Sequence, residues 1–238
     1  MPGNPAGRML WRKRVAAAVL IGVAMFAVEA KDTRIVRDTP VARLELYARM
    51  QALNGAILGA NSATAVLEAW CREHALAPAP KIVALRLKGE VKTPSPQTME
   101  RLKVSDASEL KYRRVELRCG EVTLSRADNW FVPARLTAQM NATLEDTDTP
   151  FGKVVAPLVP MRRTISSQLL WFPLDTHDRA LPLRIPDDVF RHEAVLYTRE
   201  MLPFSEVHEA YQGAALRFPL EFSDAPACDP APKASAVR

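Results

Sequence analysis

Tyr112-Arg113-Arg114-Val115-Glu116-Leu117-Arg118-Cys119-Gly120-Glu121-Val122-Thr123-Leu124 is the stretch from which the fold is read. Arg114, Glu116 and Arg118 alternate with Arg113, Val115, Leu117 and Cys119. A period of two marks a strand that puts these two sets on opposite faces. Cys119-Gly120-Glu121 then reverses the chain into Val122-Thr123-Leu124, and strands joined by so short a turn pair antiparallel. A further extended piece follows over 129–133.

Downstream, 136–144 reads as a helix capped by Thr137, and 146–152 as a loop. Three more strands are predicted over 163–172, 189–198 and 203–216. The last two are joined tightly enough, through 199–202, to form a hairpin; 182–188 reads as a loop. Upstream, Ile82, Val83, Leu85 and Leu87 predict a strand, followed by a loop over 92–96 and a short helix or turn over 97–102. Further upstream, Thr39 and Pro40 make an N-cap and first helical position. Val41, Leu44, Leu46, Tyr47, Met50, Leu53, Ile57 and Leu58 recur at helical spacing as the apolar face. Gly59, Ala60 and Asn61 break this helix. Ser62 caps a second one, with Ala65, Val66, Leu67, Ala69 and Trp70 on its buried side, ending near His74. The fold class is therefore α+β: a largely antiparallel sheet of about six strands, an N-terminal helical hairpin and flanking helices.

The 238 residues are 48% hydrophobic and 25% charged, which excludes disorder throughout. Of the net charge of +5, Arg8, Arg12, Lys13 and Arg14 against Glu29 place +3 in residues 1–30, leaving +2 for the rest. That balance, with no Lys/Arg run, argues against a nucleic-acid partner. The basic start and the apolar run over 15–28 match a signal peptide or N-terminal membrane anchor. The sequence thus predicts an exported protein, periplasmic or secreted, with 9–28 as the segment that would hold it to an inner membrane. Membrane contact is expected through this segment only. The expected organisation is 1–30 as export segment, 31–222 as one α+β domain and 223–238 as a disordered Pro-rich tail. Cys71, Cys119 and Cys228 permit one disulfide or none, and their spacing fits no zinc template. His74, His177, His192 and His208 form no metal-binding pair, and there is no Gly-rich phosphate loop or Gly-x-Ser-x-Gly motif. No metal and no cofactor are expected.

Charged residues inside apolar strands remain. Arg114 shares a face with Glu116 and Arg118; this is either a solvated face with a cross-strand ion pair or a carboxylate-binding site, since a guanidinium matches a carboxylate bidentately. Glu206 and Glu209, three residues apart, face opposite sides of a regular strand. Either is a candidate general acid if buried beside an apolar ligand, or else part of a solvated edge.

The strand from Arg114 to Cys119-Gly120, then Asn129-Trp130-Phe131-Val132-Pro133, then Asp148-Thr149-Pro150-Phe151-Gly152, resembles chorismate lyase and the related ligand-binding (UTRA-type) domains of transcription regulators. The resemblance covers about 110–216. It implies a six-stranded antiparallel sheet with an enclosed pocket for a small aromatic carboxylate, and conversion of chorismate to 4-hydroxybenzoate and pyruvate without metal or cofactor. It implies that Arg114 clamps the ring carboxylate, with Phe151 and Gly152 forming the turn that helps hold it. The family's acid falls at His208, between Glu206, which keeps strand parity, and Glu209, which needs a bulge. Asn129 stands where the family has a second arginine. Three readings follow: a carbon–oxygen lyase, a binding module for an aromatic carboxylate such as 4-hydroxybenzoate, and a structural protein with a filled pocket.

Overall fold

The computed structural model describes residues 35–89, 91–175 and 183–220. The export segment, His177, Cys228 and the tail from 223 lie outside the described residues.

Thr39 accepts a hydrogen bond from the Ala42 amide (3.1 Å) and starts α1, Pro40–Leu58. Ser62 accepts from the Ala65 amide (3.3 Å) and starts α2, Ala63–Glu73. Both caps satisfy otherwise orphaned amides, as the sequence predicts. The buried stripe of α1 is Ala42, Leu46, Arg49, Met50, Leu53, Asn54 and Ile57. Val41, Leu44 and Leu58 are exposed, contrary to expectation. At about 100° per residue these three fall on the far side of the helix from Leu46 and Leu53. Ala65 of α2 is exposed for the same reason.

The strands are β1 (Ile35–Val36), β2 (Ile82–Arg86), β3 (Lys111–Cys119), β4 (Val122–Phe131), β5 (Met161–Leu169), β6 (Leu183–Arg184), β7 (Asp188–Tyr197) and β8 (Pro203–Gln212). Six of them form one antiparallel sheet in the order β2-β3-β4-β8-β7-β5. The short β1 and β6 pair separately, β6 lying in the segment the sequence reads as a loop. The pieces read separately at 122–124 and 129–133 are one strand, β4. The β3–β4 turn places Gly120 at φ +54°, a left-handed conformation that favours glycine, and sets Cys119 opposite Val122. The remaining helices are α3 (Pro96–Leu102), α4 (Ala138–Asp146) and the one-turn α5 (Phe151–Val154).

The helical hairpin covers one face of the sheet. Leu46, Met50, Leu53, Ile57 and Leu67 share a core with Val115, Leu117, Ala127, Val207 and Tyr211. On the opposite face, Leu102 of α3 covers a smaller cluster of Trp130, Val132 and Val195. We call these the inner and outer faces.

Cys71 of α2 and Cys119 at the end of β3 form a disulfide across 48 residues of sequence, and both are fully buried. Closing a loop of that length in the unfolded chain stabilises the fold by about 4 kcal/mol in the chain-entropy picture. Replacing both cysteines with serine is expected to lower the unfolding free energy by about 2–4 kcal/mol in urea titrations. An unchanged midpoint and slope would show that the cross-link carries no stability.

Candidate functional site

β3 alternates strictly in burial. Arg113, Val115, Leu117 and Cys119 are buried on the inner face, while Tyr112, Arg114, Glu116 and Arg118 are half-buried on the outer one. Register carries the inner set across the sheet: Arg113 lies opposite Asn129, and Ala127 of β4 opposite Glu209 of β8. Between this face and the α1–α2 turn lies a cavity of about 60 Å³. That is several times what one water needs. Its charged and amide lining from the sheet is Arg113, Asn129, Arg162 and Glu209, with Asn61, Ser62 and Thr64 added from the α1–α2 turn; Val115, Leu117, Leu196 and Val207 are apolar, and Phe151 and Gly152 close one side. A Cβ on Gly152 would stand 2.8 Å from the Thr64 hydroxyl and 3.2 Å from that of Ser62, so the chain approaches α2 this closely only with glycine there. The Phe151 ring packs against Phe131 and Phe204, with centroids 5.5 and 6.4 Å away.

Arg113 is 4% exposed. Its Nη atoms donate to the carbonyl oxygens of Thr147 (3.4 Å) and Thr149 (3.2 Å), which ties down the segment leading into Phe151-Gly152. Its Nε is buried without a hydrogen-bond partner. Burial, then the neighbouring Arg86, lowers Arg113 to about 10 against a smaller opposing pull from Asp148, so it stays cationic at neutral pH. Asn129 accepts from the Ser205 hydroxyl through Oδ1 (2.6 Å), and its Nδ2 makes no hydrogen bond among the described residues.

Arg162 enters from β5. Its Nη2 lies 2.8 Å from Oε2 of Glu209, both side chains being almost wholly buried. Burial opposes the charge on Arg162, but Glu209 and then Tyr211 more than offset it and raise its pKa. Tyr211 donates to Glu209 (2.9 Å); burial first, then Glu209, pushes the phenol well above its usual pKa. Opposite Glu209 on β7, His192 shares a 2.7 Å hydrogen bond with Asn54. Burial and then Arg162 lower His192 to about 4 against Glu209, so the ring is neutral at pH 7.

The structure thus brings together Asn129, Phe151, Gly152 and Glu209 of the predicted site residues, but not Arg114 or Glu206. Arg114 lies on the outer face, its Nε 3.6 Å from Asp128. Asp128 also receives Lys92 and the Tyr112 hydroxyl, each at 2.5 Å. The placement of Arg114 in the pocket is therefore corrected to Arg113, one residue earlier and so on the other side of the strand. Glu206 is corrected likewise. It is fully buried on the outer face, where Arg101 of α3 donates twice (2.7 and 2.6 Å), Thr98 once (2.9 Å), and His208 pairs with it at 2.9 Å. It fastens α3 to the sheet. The signal that could have found Arg113 was present: a lone cation in the apolar half of an alternating strand is the informative residue, whereas charges in the polar half are ordinary. Arg162 carried no such signal, because β5 is exposed along most of its length and shows no apolar alternation.

No protein-family model matches the chain. It is 41% identical over 215 residues to "Uncharacterized protein y4mC" of Sinorhizobium fredii, covering 86% of this chain and 91% of that one. Among solved structures it is similar to the effector domain of PhnF from Mycobacterium smegmatis (13% identity, 66% of this chain, 91% of that chain, TM-score 0.44). It is also similar to the possible transcriptional regulator YydK from Bacillus subtilis (13% identity, 59% of this chain, TM-score 0.37), of whose length it spans only 61%. The expectation of export is corrected here. Nothing among the comparisons indicates an exported protein, and among the described residues, which leave out 9–28, no helix is long and apolar enough to cross a membrane.

Two buried groups make acid stability readable. For Glu206, burial raises the pKa, but Arg101, His208 and Thr98 together outweigh it and hold it at about 2, below its ordinary 4.5. A depressed folded pKa gives stability that is present above pH 4.5 and lost as pH falls toward 2. His192, lowered from 6.5 to about 4, gives stability present above pH 6.5 and lost as pH falls toward 4. Stability should therefore decline in two windows. In denaturant titrations at stepped pH, His192→Gln is expected to flatten the upper one and Glu206→Gln the lower one.

Proposed function

The chain belongs to the family of the Sinorhizobium fredii protein y4mC, and we propose that its domain binds a small molecule bearing a carboxylate, gripped by Arg113 in the inner-face pocket. The observation that carries this reading is the buried, partnerless Nε of Arg113 on an otherwise apolar strand face. A buried donor left unmet costs about 1–3 kcal/mol, and a carboxylate would recover it as a charge-assisted bond. The free Nδ2 of Asn129, opposite in register, supplies a second donor. The Phe151 ring and the apolar side chains beside it favour an aromatic body, with 4-hydroxybenzoate as a representative ligand.

Pyruvate elimination from chorismate is the second reading, favoured by the presence of Glu209 in the same pocket. Two features weigh against it. Glu209 is ion-paired with Arg162 and accepts from Tyr211, whereas a general acid must donate. Asn129 is neutral where a second substrate carboxylate calls for a cation.

The full chain, titrated calorimetrically with 4-hydroxybenzoate, is expected to bind it at micromolar levels, and Arg113→Ala to weaken binding about 10- to 100-fold. Arg114→Ala should leave affinity within about twofold, because its side chain lies on the other face. Incubation with chorismate should yield no 4-hydroxybenzoate by ultraviolet absorbance; steady product formation would move the reading to the lyase.

A further inference from the structure

We infer that the Arg162–Glu209 pair is a charge filter: it fits the pocket to a ligand with one negative charge at one end and a neutral hydrogen-bonding group, such as a hydroxyl, at the other. The inference rests on Arg113 as the carboxylate anchor and adds the ligand's charge class and the residue that sets it, Glu209.

Sheet order fixes the geometry. β3 and β5 are four strand spacings apart, about 19 Å between axes, so Arg113 and Arg162 reach the cavity from opposite sides. Glu209 stands on β8 between them. Arg162 and Glu209 are 3% and 6% exposed at the side chain. Their pair is braced by the Tyr211 hydroxyl on Glu209 and, on the Arg162 main chain, by a hydrogen bond from its amide to Asn61 (3.3 Å). Yet Nε and Nη2 of Arg162 are both buried with no hydrogen-bond partner, so the pair is neutralised in charge but not filled in hydrogen bonds.

The charges then select. Arg113 and Arg162 against Glu209, with His192 neutral, leave the pocket one positive charge. A monoanion at Arg113 balances it. A second anionic group at the far end would have to take Arg162 from Glu209, stranding a buried carboxylate beside another negative charge. An ammonium there would face Arg162. A hydroxyl meets both neighbours, accepting from Nε of Arg162 and donating to Glu209.

The test uses three acids of one skeleton at pH 7, titrated calorimetrically into the full chain: benzoate, 4-hydroxybenzoate and terephthalate. Terephthalate, with a second carboxylate in place of the hydroxyl, is expected to bind at least tenfold more weakly than 4-hydroxybenzoate. Glu209→Gln should raise terephthalate affinity at least tenfold and remove that deficit. Terephthalate binding the wild-type chain as tightly as 4-hydroxybenzoate, or an unchanged ratio in Glu209→Gln, would overturn the filter. Benzoate binding that still depends on Arg113 would in that event leave the pocket reading standing, while no binding of any of the three overturns both. Should Glu209→Gln lose its thermal transition, Arg162→Gln probes the pair from its other side. Benzoate is then expected to weaken as the pocket loses a cation, and terephthalate to weaken at least tenfold more than benzoate; equal losses for the two would overturn the filter.

Discussion

A guanidinium with almost no access to water has to be met by polar groups, and the burial of Arg113 organises the inner face accordingly. Placing an ion in apolar surroundings costs several kcal/mol unless it is paired and hydrogen-bonded. Arg113 recovers part of that cost from the carbonyls of Thr147 and Thr149. Those bonds decide where 147–152 lies, and Gly152 then lets that segment approach Ser62 and Thr64 at the start of α2. The cavity is what remains between these contacts. Its position follows from an arginine that carbonyls satisfy only in part.

The two faces of the sheet treat buried charge in opposite ways. On the outer face, Glu206 has every oxygen engaged, by Arg101, Thr98 and His208, and sits where α3 must be held. A saturated carboxylate of this kind has no capacity left for a ligand. On the inner face, Arg113 keeps one and Arg162 two buried nitrogens without a hydrogen-bond partner. Unmet hydrogen-bonding capacity next to a cavity distinguishes a binding site from a structural ion pair. Burial alone would have ranked Glu206, at 0% exposure, above Glu209, at 5%.

The architecture was legible from the chain because it depends on periodicity and punctuation. The caps at Thr39, Ser62 and Thr137, the Gly120 turn and the two hairpins all appear where the pattern puts them. The site was legible only to within one residue on β3 and not at all on β5. Alternation correctly separated Arg113 from Arg114; the error was in choosing the face. The charged face of a strand looks functional, yet a ligand pocket beside a core opens on the apolar face, where a single polar residue matters. On β8, the sequence left open which glutamate turned inward, and the partner strands decide that: Glu209 faces Ala127 and His192, while Glu206 faces Trp130 and Val195. The pairing of Cys71 with Cys119 was open for a similar reason, since spacing of 48 residues says nothing about distance in space.

That disulfide bears on how firmly the pocket keeps its shape. α2 supplies Ala63 and Thr64 to the cavity wall at its first turn and Cys71 two turns later, while β3 supplies Arg113, Val115 and Leu117 and ends at Cys119. The cross-link therefore ties two walls of the site to each other at their far ends. The tied walls lose little free energy to ordering when a ligand enters, and the cavity of about 60 Å³ enlarges for an aromatic acid at its untied sides, by Phe151 and Arg162. Rigid walls also sharpen discrimination by charge. When side chains cannot withdraw to water, a misplaced anion cannot be relieved by relaxation, and the arrangement of Arg113, Arg162 and Glu209 acts at nearly its full electrostatic strength.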